Sequence, residues 1–218
     1  MIKLYGVYRS RTLRPLWLLA ECNVSFTHVP VIQAYRLSQP SAEGAPLNTT
    51  SAEYLAVNPQ GQIPAMEEDG LILTESLAIT SYLAKRHGGL LGPQTPAEDA
   101  LIEQWTLFAA TAIEGPALEI LYALQSDAAS PDSRAATSLH AERLRRPLRR
   151  LSTHLGAHSW LVGDRFTVAD LNLAECLRYA QGHTALMDEF PAVRDWLTRC
   201  QARPAFRKIW AQRDQEPE

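Results

Sequence analysis

The chain has 218 residues, 46% hydrophobic and 21% charged, with 21 lysines and arginines against 24 aspartates and glutamates and a formal net charge of −3. That length holds one large domain or two small ones around a substantial core, and the charge balance gives no global attraction to nucleic acid or to an anionic membrane. Cys22, Cys176 and Cys200 lie far apart and form neither a C-x-x-C pair nor a zinc spacing, so they read as reduced thiols, with no disulfide framework and no metal centre expected. The N-terminal Met-Ile-Lys-Leu-Tyr-Gly lacks the apolar run and cleavage site of a signal peptide. No stretch approaches the ~18 consecutive apolar residues that span a membrane, so a cytoplasmic protein is expected.

In chain order, Ile2 to Val7 alternates and reads as a short strand. Leu13, Leu16, Trp17 and Ala20 follow at helical spacing; Pro15 is tolerated because first-turn N–H groups have no intrahelical partner. Phe26 to Ile32 reads as a second strand, and Ser38 to Ser51 as a long loop rich in Ser, Pro, Ala, Gly and Thr. Asp69-Gly70 between two short apolar runs predicts a hairpin, and Glu75-Ser76 opens a helix carrying Leu77, Ile79, Tyr82 and Leu83. His87 to Pro96 reads as a linker. Beyond it the pattern is helical throughout, with Leu101, Trp105, Phe108 and Ala112 on one helix, Leu139 to Leu155 on a second, and Val168 to Ala180 and Pro191 to Ala202 on two more. The expected organisation is an α/β domain over 1–86, a linker over 87–96 and an all-α domain over 97–218. Five arginines between Arg143 and Arg150 spread over more than one helix face and read as a solvated surface, with no nucleic-acid partner.

Two motifs carry chemistry. In Asn58-Pro-Gln-Gly-Gln62-Ile63-Pro64 the last proline directly precedes a strand, and X-Pro is where cis peptides occur. A cis bond there turns Ile63 outward and leaves its N–H and C=O open to an extended peptide; the alternative is a turn that only punctuates the fold. Glu75-Ser76 sits at a helix start, where free N–H groups and the positive dipole end favour a carboxylate. Ser76 can donate to that carboxylate and Glu75 can accept from an ammonium, which together describe the α-amino-acid end of a ligand; a simple helix cap is the alternative. Thr167 and Asp170 form a capping-box variant with Phe166 and Leu171 as its staple, so Asp170 is expected to serve folding rather than chemistry.

Leu4-Tyr5-Gly6, Asn58 to Pro64, Leu73-Thr-Glu-Ser-Leu-Ala-Ile79 and Phe166-Thr-Val-Ala-Asp170 resemble, in the right order, the glutathione S-transferase family. The resemblance covers essentially the whole chain. It implies a thioredoxin-like domain followed by an α-helical bundle domain, a homodimer, and glutathione as co-substrate with no metal. It also implies that Ile63 and Pro64 hold the cysteinyl part of glutathione, that Glu75 and Ser76 hold the γ-glutamyl end, and that Gln62 contacts the glycine carboxylate.

The thiolate is the nucleophile in such chemistry, and a hydroxyl donor near a helix N-terminus lowers a thiol's pKa. Ser10 ranks first for this role, where serine-type members of the family place their hydroxyl; Tyr5 ranks second and Thr12 third. Arg11 falls where cysteine-type members carry their cysteine, and it joins the glutathione-binding set. Arg9, Arg11 and Arg14 together offer a field for an anionic ligand, although Arg9 and Arg14 also read as solvated surface. Cys22 lies too far along the first helix to reach the ligand thiol, which argues against a thiol-transferase or reductase. The second substrate is expected between the domains, against Tyr8, Trp105, Phe108, Thr111 and Ala112. The resulting expectation is conjugation of glutathione to a small hydrophobic electrophile in detoxification. A related peroxidase or isomerase step, or a non-catalytic binding or regulatory protein, remains open.

Overall fold

Ile2 and Leu4 are buried while Lys3 is exposed, and this alternation makes the first strand, β1 (Lys3–Tyr5). The structure is a computed structural model that describes residues 1–126 and 130–216. α1 (Leu13–Cys22) follows and buries every residue from Leu13 to Leu19. It ends at Asn23, whose left-handed backbone (φ 52°) returns its N–H to the carbonyls of Leu19 and Ala20. β2 (Thr27–Val29) pairs parallel with β1, Leu4 opposite His28; a helical crossover is the usual way to join parallel neighbours. The long connection that follows holds a 3-10 turn (Ala34–Arg36) and one α-helical turn, α2 (Ala52–Leu55), and the sequence pattern predicts neither.

β3 (Ala65–Glu68) lies antiparallel to β1 with Met66 opposite Leu4, and β4 (Leu71–Thr74) antiparallel to β3 with Leu73 opposite Met66. The sheet order is therefore β2-β1-β3-β4. Asp69 and Gly70 both have positive φ (51° and 83°), as a two-residue type I′ hairpin loop requires. α3 (Ser76–His87) then packs against α1.

Leu90–Arg203 forms a second unit with no strand among its described residues. α4 (Pro96–Phe108) is capped by Thr95, whose Oγ accepts from the Glu98 N–H at 3.1 Å, and a π-turn (Ala109–Ile113) joins it to α5 (Glu114–Gln125). The sequence was expected to hold no membrane-length apolar stretch, yet Pro96–Gln125 is one by length and composition. Its buried stripe of Ile102, Trp105, Ala109, Ile113, Ala117 and Ile120 is a core stripe, because α4 packs on α7 (Val168–Leu177) and α5 on α6 (Pro131–Ala157). All ten residues of α7 are buried. Its capping box is formed as expected: the Asp170 carboxylate accepts from the Thr167 N–H at 3.0 Å, and also from the Leu161 N–H at 3.0 Å and Trp196 Nε1 at 2.9 Å. α8 (Thr184–Asp188) and α9 (Pro191–Gln201) complete this unit.

The expected boundaries shift in two places. The proposed linker is mostly ordered, since α3 runs to His87, a 3-10 turn spans Gly89–Leu91 and α4 begins at Pro96. The last helix, α10 (Pro204–Gln215), leaves the helical unit and joins the first one. It packs on α1, with the Phe206 ring edge-on to the buried Trp17 at 4.9 Å.

Candidate active site

The loop between β1 and α1 begins with a close approach. Gly6 has φ +137°, and a Cβ there would stand 2.1 Å from Thr12 Oγ1, so only glycine lets the Thr12 hydroxyl fold under the loop. Gly6 is pinned by its N–H to Val29 C=O (3.0 Å) and by His28 Nε2 on its own C=O (2.8 Å). Ser10 Oγ accepts from the Thr12 N–H at 3.0 Å, donates to Val7 C=O at 2.7 Å and lies 2.8 Å from Thr12 Oγ1. Thr12, not Ser10, occupies the N-cap position of α1. The Ser10 hydroxyl is thus held just ahead of the helix, and donation to any other acceptor would require it to release the Val7 carbonyl.

Tyr5 is placed differently. Its hydroxyl donates to Glu67 Oε2 at 3.2 Å, and its ring packs near Tyr54 (6.1 Å) beside Val31 and Ala65. Burial, and then the Glu67 carboxylate, push the Tyr5 pKa up. A phenol already committed to a carboxylate is a poor donor to a thiolate. Thr12 is fully buried, and Arg11 is exposed.

The Ile63–Pro64 peptide is cis, as the motif suggested. Gln62 C=O accepts from the Tyr54 hydroxyl and from Asn58 Nδ2 (2.7 Å), which fixes the turn from behind. The Ile63 side chain packs against the Tyr54 cluster, while its N–H and C=O meet no partner among the described residues. Gln62 has an exposed side chain.

At the start of α3, Glu75 adopts φ 65°, ψ 109°, a conformation that costs a non-glycine residue of order 1–3 kcal/mol and concentrates at ligand sites. Glu75 itself is exposed, and Ser76 is only 4% exposed. Ser76 Oγ accepts from Arg14 Nη1 at 2.9 Å, and Arg14 is 1% exposed. Arg14 as solvated surface is therefore a misreading. The signal was present in Leu13-Arg14-Pro15-Leu16-Trp17-Leu18-Leu19: a single charge inside a continuous apolar run has to be buried and paired. The Arg14–Ser76 bond ties the first turn of α1, four residues past Ser10, to the first turn of α3.

The remaining candidates are placed less tellingly. Tyr8 stacks edge-on against His28 at 5.3 Å, and burial, then the Glu216 carboxylate, raise its pKa. Trp105 is 4% exposed and packs edge-on against Phe108 (5.5 Å) and His154 (4.9 Å), with the Arg150 guanidinium over both the Trp105 and Phe108 rings. Trp105 is thus a core residue of its unit. Thr111 is exposed and donates to Leu107 C=O at 2.8 Å, and Ala112 is half-buried in the π-turn. Cys22 ends α1, and burial pushes its thiol up to about 11; Cys200 is pushed well above its ordinary value by the same cause. Both are protonated and poor nucleophiles near neutral pH.

Residues 9–86 match the N-terminal domain of glutathione S-transferase and residues 116–204 its C-terminal domain. Glutathione S-transferase F13 of Arabidopsis thaliana is 32% identical over 222 residues, covering 95% of this chain and 94% of the relative. The crystal structure of glutathione transferase F7 from Populus trichocarpa superposes with a TM-score of 0.80 at 31% identity, over 98% of this chain and 99% of the other. A theta class glutathione S-transferase from Xanthomonas axonopodis pv. citri, solved with glutathione bound, matches with a TM-score of 0.74 at 25% identity over 95% of each chain. The chain belongs to the glutathione S-transferase family. It has that family's fold, and its relatives identify it as a glutathione transferase.

Proposed function

We propose that the protein conjugates the thiolate of glutathione to a small hydrophobic electrophile, with Ser10 as the hydroxyl that stabilises the thiolate. The observation that carries this reading is the Arg14–Ser76 hydrogen bond. It brings the loop that holds Ser10 to the helix end whose free amides, dipole and buried guanidinium all favour a carboxylate. Ser76 and the α3 amides then take the γ-glutamyl carboxylate, Glu75 its ammonium, and the unpaired N–H and C=O of Ile63 the cysteinyl backbone. Gln62 and Arg11 serve the glycine end. A hydroxyl donating to the charged form lowers the thiol pKa, and attack of the thiolate on an aryl halide forms the C–S bond as halide leaves. A homodimeric, cytoplasmic detoxification enzyme is the setting this reading implies.

The test is glutathione-affinity retention followed by turnover of chlorodinitrobenzene by wild type and Ser10→Ala. The variant should bind glutathione within about threefold of wild type and turn over on the order of 100-fold more slowly. Undiminished turnover in Ser10→Ala, with a loss in Tyr5→Phe, would transfer the role to Tyr5. Retention on glutathione without turnover of any electrophile would favour a binding protein instead.

A further inference from the structure

Several polar backbone groups between Gly6 and Ser10 are held by the protein itself. Gly6 is held by Val29 and His28. Val7 C=O takes the Ser10 hydroxyl, Arg9 C=O accepts from Gln33 Nε2 at 3.1 Å, and Ser10 C=O accepts from the Leu13 N–H at 3.2 Å. Two consecutive donors, the N–H groups of Tyr8 and Arg9, both go to Glu216, far along the chain. The Glu216 carboxylate accepts from Tyr8 N–H at 2.9 Å and from Arg9 N–H at 2.7 Å, and Arg9 Nε donates to Glu216 C=O at 2.9 Å. The carboxylate spans 207 and 208 positions of sequence to reach them.

Its reach is set by a fixed mount. Glu216 follows α10 directly, with its N–H on Arg213 C=O at 3.2 Å. α10 is packed along α1, Phe206 against Trp17. The helix is therefore a splint. One end is anchored to the body of α1 by an aromatic contact, and the other clamps the loop that precedes α1 through charge-assisted hydrogen bonds, which are roughly twice as strong as neutral ones.

We infer that Glu216 is a positioning residue for the reaction: it holds the Tyr8–Arg9 segment so that the adjoining Ser10 hydroxyl is presented in one place. The inference rests on the reading of Ser10 given above. A carboxylate near a forming thiolate also has an opposite effect, since like charge raises the thiol pKa, so the sign of the functional effect discriminates a positioning tail from an inhibitory one. The clamp's geometry favours positioning, because the carboxylate is fully engaged by the loop amides rather than aimed at open space.

The test is a double-mutant cycle in the full chain, read as kcat and as KM for glutathione with chlorodinitrobenzene as acceptor. Glu216→Ala should lower kcat about tenfold while changing KM for glutathione less than about twofold, the pattern of lost alignment and not of lost binding. Glu216→Gln keeps one acceptor oxygen but no charge and should lose about threefold. In a Ser10→Ala background, Glu216→Ala should have less than about a twofold effect, because the hydroxyl it positions is gone. A defective Ser10→Ala with a silent Glu216→Ala overturns the inference alone. A kcat above wild type in Glu216→Ala overturns it in favour of an inhibitory tail, and additive losses place Glu216 outside the Ser10 pathway. A fully active Ser10→Ala sinks the Ser10 reading and, with it, any positioning role through that hydroxyl. Melting temperatures of the Glu216 variants are read alongside, at an assay temperature where every variant is folded, so that the fall in kcat reports the loop and not unfolding.

Discussion

Removing the Asp170 carboxylate should unfold the helical unit, and the cost can be worked from its partners. Asp170 is fully buried, and its two oxygens accept from the backbone N–H groups of Thr167 and Leu161, the Thr167 hydroxyl and Trp196 Nε1. In Asp170→Ala the two backbone N–H groups and the indole N–H lose their acceptor where water does not replace it. Each orphaned buried donor costs about 1–3 kcal/mol, so the three together cost about 3–9 kcal/mol, comparable to a typical domain stability of about 5–15 kcal/mol. Asp170→Asn keeps the shape but turns an NH2 toward donors on one side, and should lose about 2 kcal/mol. Calorimetric and urea unfolding of purified variants measure both. A loss below about 1 kcal/mol in Asp170→Ala would refute the accounting.

The pH dependence has a definite sign. Burial raises the Asp170 pKa from 3.8 to about 6 against the pull of its donors. An acid with a raised native pKa binds its proton more tightly when folded, so its contribution is present below about pH 4 and is lost as pH rises through about 6. The stability difference between wild type and Asp170→Asn should therefore widen on acidification across that window, by up to about 3 kcal/mol. A difference independent of pH would mean that the donors hold the carboxylate ionised throughout.

Two other substitutions test the site. Gly6→Ala places a Cβ 2.1 Å from Thr12 Oγ1 at φ +137°; it should cost about 1–3 kcal/mol and lower turnover about tenfold by displacing the loop, read by melting and by steady-state rates. A stable, fully active Gly6→Ala would show that the loop tolerates other geometries. Arg14→Lys keeps the charge but loses the planar fork that reaches Ser76; it should weaken glutathione binding about tenfold by calorimetry. Unchanged affinity would remove Arg14 from the carboxylate site.

The parts of the site that were legible in advance are those whose partners lie within a few residues. The Asp69-Gly70 turn needs only two residues that tolerate positive φ. Gln62-Ile63-Pro64 is tied down by Asn58 and Tyr54, at most eight positions away. Thr167 and Asp170 cap one another three positions apart. Ser10 is bound to Val7 and Thr12, so its place just before α1 could be read from the local pattern, whereas the exact capping residue could not. Trp105, buried in its unit, marks a related limit: helical spacing shows that a residue lies on an apolar face, but not whether that face lines a core or a cleft.

Local sequence thus determined the two-part architecture, the hairpin, the cis-proline turn and the two helix starts, because turns and caps are settled by backbone sterics and hydrogen bonds within about four residues. Tertiary structure alone decided what Arg14 and Glu216 do. The Arg14–Ser76 bond joins positions 62 apart, and the Glu216 clamp joins positions 207 and 208 apart. A charge in an apolar run announces that it needs a partner; only the packing of α1 on α3, and of α10 on α1, determines which one it meets.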